Sequence, residues 1–345
     1  YGLVVEDERI AEEWLVELVG GRERVVYERV TGADGKTQVA GKGLAECGVK
    51  VVLMAELGGK QHHSFLASVK NSIETAEVGG PVKLAIEWFQ RGLVLIPPDA
   101  ILGGLGKHLL DDPLLSAFAS QFLYEAGTGV DSVDVKRRYL QEGEVGRFLK
   151  DEWVNDEPHD QINDEDFVIL RGDGTEFGRE KGKWFEQEIV AWHSNESGEA
   201  VKFRLLDESD GTQKLLSLVP ALHDLKQRAV VYVIDEMDRS LHPLMVRHFV
   251  ETFLAACQSG PRQLLVTTHE SRLLDLKLLR RDEIWFAEKD ANQATRLYSL
   301  ADFHVRQDLR IDKQYLQGRF GAIPFWGNAE ELVAEELVEA EGPAA

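Results

Sequence analysis

The chain has 345 residues, 43% of them apolar, and carries a formal net charge of −21. That length accommodates two domains, or one domain with a large insertion, and the apolar share suffices for a packed core. The acidic balance argues against general wrapping of nucleic acid, whose phosphates need positive surface, and leaves a local basic stripe as the open option.

In chain order, Gly2–Val5, Arg24–Arg29 and Val49–Met54 read as strands, and Ile10–Leu18 as a strand or short helix. Gly20-Gly21 and the Gly32–Gly43 stretch punctuate them. From Ser64 to about Tyr139 the apolar spacing turns helical, which predicts helices over Ser64–Ile73, Pro81–Gln90 and Leu114–Glu125. Pro97-Pro98 and Gly103-Gly104 break this region. Asp151–Asp166 is acidic, contains Pro158, and reads as an exposed loop.

Phe167–Leu170, Glu188–Trp192 and Ala200–Leu206 read as strands, with Ser194–Glu199 as a polar turn between the last two. Thr212 to about Lys226 is helical, with Leu215, Leu218 and Leu222 on a broad apolar face. Pro220 inside it predicts a kink or a late restart. Val230–Ile234 is a short apolar, β-branched run of the kind buried on both faces of a parallel sheet. Pro243 opens a helix running to Cys257, and Gln263–Thr267 and Asp282–Ala287 read as second and third strands. This alternation implies a parallel sheet with right-handed crossovers. Leu332–Glu341 reads as an acidic amphipathic or disordered tail. No apolar run reaches the roughly eighteen residues of a membrane span, and the start lacks a secretory pattern. Cys47 and Cys257 stand far apart without a Cys/His cluster, so free thiols in a reducing cytoplasm are expected, and zinc is not.

Three short elements carry chemistry. Val230–Ile234 ends in adjacent carboxylates, Asp235 and Glu236, at the strand end where open α/β sheets bind ligands. One carboxylate can hold Mg²⁺ through water, and its neighbour can orient or deprotonate an attacking water. As the bland alternative, the pair serves a turn and a helix cap. Upstream, Glu208-Ser-Asp-Gly-Thr-Gln213 opens a helix directly after a strand and offers backbone N–H groups to an anion. Taken alone, it is as well read as an ordinary cap. Downstream, Leu264–His269 is a strand ending in Thr267, Thr268 and His269, next in order to the strand bearing the carboxylates.

The ordered set resembles the ABC-class ATPases of the RecF/SMC-like group, and more closely the bacterial AAA-domain ATPases associated with anti-phage defence and abortive infection. Glu208–Gln213 is similar to the signature loop, Val230–Glu236 to Walker B, Ser240-Leu-His-Pro243 to the D-loop, and Thr267-Thr-His269 to the switch histidine. Arg280–Lys289 and Tyr315–Pro324 look like the group's C-terminal elements. The resemblance is specific over 188–327 and weaker through 1–150.

It implies an α/β P-loop NTPase head of ABC type: an N-terminal β lobe over 1–57, a helical insertion over 58–160, a C-terminal lobe with a parallel sheet over 161–327, and an acidic tail over 328–345. It also implies a cytoplasmic homodimer with ATP and Mg²⁺ held between subunits, and a protein effector as partner. Asp235 would hold Mg²⁺ and Glu236 would act on the water. His269 would meet the γ-phosphate, and Ser209 and Gly211 the opposite subunit's nucleotide, beside Thr212, Gln213, Ser240 and His242. His242 stands where transport-type relatives usually carry Asp.

One departure is plain. No Gly-x-x-x-x-Gly-Lys-Ser/Thr loop occurs, and the decoy Gly35-Lys36-Thr37 has Val30 where the first glycine belongs. The expectation is a partial sequence whose P-loop lies upstream and which alone hydrolyses little ATP. A non-catalytic scaffold and a DNA-clamping repair ATPase stay as alternatives. Among the remaining decoys, His269-Glu270 lacks a second zinc-protease histidine because Leu273 stands there. His62-His63 reads as solvated, Arg171-Gly-Asp173 as a hairpin turn, and the pairs Arg137-Arg138 and Arg280-Arg281 as solvated faces.

Overall fold

A computed structural model describes the chain except residues 7, 99–103, 142, 146–166, 224–228, 258–261, 307–308 and 324–345. The acidic 151–166 segment and the Leu332–Glu341 tail therefore lie outside the described residues. The fold is mixed α/β and divides into two compact units. One comprises Tyr1–Ile96, Asp224–Ile234 and Ser259–Leu265; the other comprises Pro97–His223, Asp235–Gln258 and Val266–Ala345.

In the first unit, β1 (Gly2–Glu6), β2 (Arg9–Val19), β3 (Arg22–Thr31) and β4 (Thr37–Ala40) form an antiparallel meander in chain order. Gly20 and Gly21 close the β2–β3 hairpin with φ of 59° and 79°, the left-handed backbone that a two-residue turn needs. Gly35-Lys36-Thr37 lies in the β3–β4 hairpin, where Gly35 N–H donates to the Gly32 carbonyl at 3.0 Å, so it is a turn as expected. The inner face of the sheet packs on α1 (Val49–Leu57), α2 (Phe65–Ser72) and α3 (Gly80–Glu87) through Val26, Tyr27, Phe65, Val69, Val82 and Ile86. Ser64 caps α2, its hydroxyl accepting from Ala67 N–H.

A carboxylate sits inside this core. Glu13 is 1% exposed and accepts from Tyr27 Oη at 2.7 Å, Phe65 N–H at 2.6 Å and Leu66 N–H at 3.1 Å. Those donors replace water around the buried group. In return, burial pushes the Tyr27 phenol far above its ordinary value, with the Glu13 charge adding to the shift.

Val49–Met54 corrects a sequence expectation. Its β-branched residues suggest a strand, yet the stretch is helix α1, flanked by Gly48 at φ 108° and Gly58 at φ 82°. The one-turn spacing of buried Val51 and Ala55 decides it: tertiary burial of one helical face overrides β-propensity. β5 (Leu93–Ile96) is a strand hidden within the region read as helical. It pairs in parallel with a later strand, Val231–Ile234, which lies between it and Gln263–Val266 in a three-stranded sheet. Ile234 is fully buried, but Leu265 is 60% exposed, so Gln263–Val266, whose sequence reads as a second buried strand, is an open edge strand among the described residues.

In the second unit, α4 (Leu105–Asp111) and α5 (Pro113–Glu125) precede β6 (Ser132–Tyr139), β7 (Phe167–Leu170), β8 (Thr175–Glu180), β9 (Lys183–Ser194) and β10 (Ala200–Arg204). The long β9 organises the sheet. β6 pairs along it from Phe185 to Trp192, while β8 pairs with its first half and β10 with its second. β8 goes beyond the sequence expectation, and β6 corrects it: Ser132–Tyr139 falls at the end of the region read as helical, where buried Val133 and Val135 alternate with charged neighbours as a strand does. The Arg171–Thr175 turn and the Asn195–Glu199 turn close hairpins as expected.

α6 (Asp210–His223) packs on α5, burying Leu215, Leu216, Leu218, Val219 and Leu222. Each such side chain contributes about 1.5–3 kcal/mol of apolar transfer. The helix continues through Pro220 to His223, and residues 224–228, which follow, lie outside the described residues. β11 (Val231–Ile234) and β12 (Gln263–Val266) of the three-stranded sheet lie on either side of α7 (Pro243–Ala256) in the chain, with Pro243 in the first turn of the helix. β13 (Trp285–Lys289) is not a third parallel strand. It pairs antiparallel with β14 (Thr295–Ser299) in a separate ribbon over Ile284, Phe286, Leu300, Ile311 and Phe320, next to α8 (Ile311–Leu316). The strand–helix order of the preceding elements suggests a further parallel strand, but a turn at Asp290–Gln293 folds the chain straight back.

Candidate functional site

Asp235 and Glu236 follow β11 directly, and both are exposed. The chain leaves the strand abruptly. Glu236 has φ 44° and Ser240 φ 62°, both in the left-handed region that costs a non-glycine residue about 1–3 kcal/mol unless its surroundings hold it. Here the holding groups are named. Met237 is fully buried and anchors the turn. Glu236 N–H donates to Thr267 Oγ at 2.8 Å, and Met237 N–H donates to the Thr267 carbonyl at 3.0 Å. The Thr267 hydroxyl in turn donates to Asp235 Oδ1. Further along, His269 N–H donates to Asp238 Oδ1 at 3.1 Å. The loop after β11 and the loop after β12 are thus joined residue by residue.

The Glu208–Gln213 loop meets the same region. Ser209 caps α6, its Oγ accepting Thr212 N–H at 3.2 Å and lying 3.0 Å from Thr212 Oγ. Gln213 Nε2 donates to the Glu208 carbonyl at 2.9 Å, and the Glu208 carboxylate bonds His193 Nε2 at 2.6 Å. Gly211 lies against the carbonyl of Ser240, which a β-carbon on Gly211 would approach to 2.9 Å. His242 caps α7, its Nδ1 accepting Leu244 N–H at 3.2 Å, so that nitrogen is the unprotonated one.

Asp235, Glu236, Ser240 and His242 therefore share one compact unit with Ser209, Gly211, Thr212, Gln213 and His269. Asp235 and Glu236 are tied to Thr267, Gly211 touches Ser240, and the His269 main chain is tied through Asp238. Sequence reasoning passed over Thr267 and Asp238 as holders of the two loops. The signal for Thr267 was a hydroxyl residue at the tip of a strand, level with an acidic strand tip.

Two exposed carboxylates in tandem are hard oxygen donors suited to Mg²⁺, an ion that takes one or two carboxylates and completes its shell with water and phosphate. Among the described residues no group of three or more His, Cys, Asp and Glu side chains forms a metal cage. The basic pairs are largely neutralised in place. Arg137 bonds Glu180 at 2.7 Å and lies over the Phe185 ring, Arg138 bonds Glu144 at 2.6 Å and Glu186 at 3.0 Å, and Arg280 bonds Asp282 at 3.0 Å. No described helix is long and apolar enough to cross a membrane.

Residues 106–275 match the family described as AAA domain, putative AbiEii toxin, Type IV TA system. No curated protein matches the chain. Among solved structures, one from work titled "Structural biochemistry of ATP-driven dimerization and DNA stimulated activation of SMC ATPases" is 12% identical over 65% of this chain and 99% of its own, with a TM-score of 0.33. The SMC head domain from Thermotoga maritima is 9% identical over 85% of this chain and 74% of its own, TM-score 0.34. An SMC head bound to the C-winged helix domain of ScpA is 11% identical over 85% and 74%, TM-score 0.36. Superpositions this loose assign no role to any residue of this chain.

Proposed function

We propose, from the match of residues 106–275 to the AAA-domain family, that the protein is an ABC-class ATPase working as a nucleotide-driven homodimeric switch. The observation that carries the reading is the Thr267 bridge, which fixes two exposed carboxylates side by side at a strand tip within the unit that also holds the Ser209–Gln213 loop. Asp235 would hold Mg²⁺, which when bound neutralises charge on phosphate oxygens. Glu236 takes the proton of the attacking water at its carboxylate. His269 faces the γ-phosphate. Ser209 and Gly211 present backbone N–H groups to the nucleotide of the second subunit, in the manner of a helix N-terminus meeting an anion.

No Gly-x-x-x-x-Gly-Lys-Ser/Thr loop occurs in the sequence, so these residues supply no Walker-type lysine for the β- and γ-phosphates. That same fact favours a second reading, a non-catalytic scaffold with ATPase ancestry. By analogy with the matched family, whose description names a putative AbiEii toxin of a Type IV TA system, we place the protein in bacterial defence and give its ATP state the role of gating a protein effector. The internally paired arginines give no support to a DNA clamp.

The test is sedimentation of the full-length protein with ATP and Mg²⁺, with and without Ser209→Arg. The proposal expects ATP to drive dimerisation in the parent and the bulky cation at the loop to abolish it. A scaffold would dimerise, or stay monomeric, without regard to ATP.

A further inference from the structure

We infer that Thr267 is a positioning residue for the metal-binding carboxylate: its hydroxyl orients Asp235 and, through the Glu236 amide, sets the turn from which Glu236 projects. The inference rests on the ATPase reading above and goes beyond it, because that reading gives a role to His269 and none to the Thr267 hydroxyl.

The argument is one of valence. A threonine hydroxyl has one proton to give and lone pairs to receive. Thr267 Oγ accepts the Glu236 N–H at 2.8 Å, and its own proton goes to Asp235 Oδ1. Each bond fixes the sense of the other, so the hydroxyl is not free to rotate. Asp235 then keeps its second oxygen for a cation. The Glu236 N–H needs this acceptor because it lies beyond Ile234, where the strand and its ladder end. Main-chain pairing of Met237 N–H with the Thr267 carbonyl, at 3.0 Å, holds the threonine opposite the two acids whatever its side chain is. Replacing the side chain therefore tests the hydroxyl and leaves the loop pairing in place.

The experiment uses Thr267→Val, close in shape but without the hydroxyl, and Thr267→Ser, which keeps it. Both are made in the full-length protein carrying Glu236→Gln, so that nucleotide is not consumed. Binding of a fluorescent ATP analogue is followed as Mg²⁺ is titrated. The expected result is a rise of about tenfold or more in the Mg²⁺ needed for half-saturation with valine, the usual cost of losing a partner that orients a metal ligand, and restoration with serine. Hydrogen exchange of the position-236 amide, measured without nucleotide or metal, should speed up in the valine variant only. A merely structural role would lower the folded fraction without moving the Mg²⁺ midpoint. Should valine prevent folding, Thr267→Ala carries the same comparison.

An unchanged Mg²⁺ midpoint and unchanged exchange of the position-236 amide in the hydroxyl-free variant would overturn the positioning role alone. If the Glu236→Gln parent binds no nucleotide at any Mg²⁺ concentration, the ATPase reading itself fails.

Discussion

Gly211 and Ser240 stand in backbone contact: any β-carbon on Gly211 would lie 2.9 Å from the Ser240 carbonyl oxygen. Ser240 is itself held at φ 62°, so its carbonyl cannot swing away without undoing a turn that Met237 anchors from the core. The loop that opens α6 and the loop that follows β11 are therefore fitted to each other, and glycine is what lets them meet.

Gly211→Ala should accordingly separate the two loops. The expected cost is about 1–3 kcal/mol of stability from overpacking, read as a lowered melting temperature. ATP-driven dimerisation should be lost well beyond what that destabilisation explains. Serine at the same place should behave as alanine does, because the obstacle is the β-carbon.

Glu13 ties the β-meander to the start of α2. Glu13→Ala strands the Tyr27 hydroxyl and two helix N–H groups in a buried place, and should destabilise the first unit by about 3 kcal/mol or more. Hydrogen exchange at the Phe65 and Leu66 amides is the local readout. Tyr27→Phe removes one donor of the set and should cost about 1–3 kcal/mol, with the same amides less affected.

Asp112 caps α5, accepting Leu115 N–H at 3.1 Å and Leu114 N–H at 2.9 Å, and it also bonds His223 Nε2 at 2.9 Å on α6. The Leu115 amide above all, with His223 and the Leu114 amide, holds its carboxyl below the usual carboxylate range. A depressed folded value means the stabilising contribution is present above the unfolded pKa, about 4, and is lost as pH falls through the folded one. Asp112→Asn should therefore flatten the acid limb of the stability curve below about pH 4. Asp112→Ala should cost about 1 kcal/mol at neutral pH through the lost cap. Urea titrations at several pH values check both.

What could be read from the sequence followed from how local each signal was. The strand Val231–Ile234 was legible because a short β-branched run between polar stretches has few other uses, and the helix at Pro243 because proline suits a first helical turn. Val49–Leu57 was misread because its valines favour either element, and only burial against the β-meander selects the helix. β5 was hidden because Leu93–Ile96 carries no alternation and follows a helix without a strong break. The ribbon at Trp285–Ser299 was misplaced because strand direction is a property of the partner, which the sequence does not name. Within the site, the Thr267 bridge to Asp235 joins residues 32 positions apart and exists only once β11 and β12 lie in one sheet, so no local signal marks it.

The most direct test of the ATPase account is the full-length protein with Glu236→Gln, followed by single-turnover ATP hydrolysis alongside nucleotide binding. The account predicts that ATP and Mg²⁺ still bind, that the nucleotide-bound dimer accumulates, and that turnover falls by about 10²–10⁴-fold, the scale of a lost general base. Turnover equal to the parent's would contradict it, because the water would then be activated without the carboxylate placed beside Asp235.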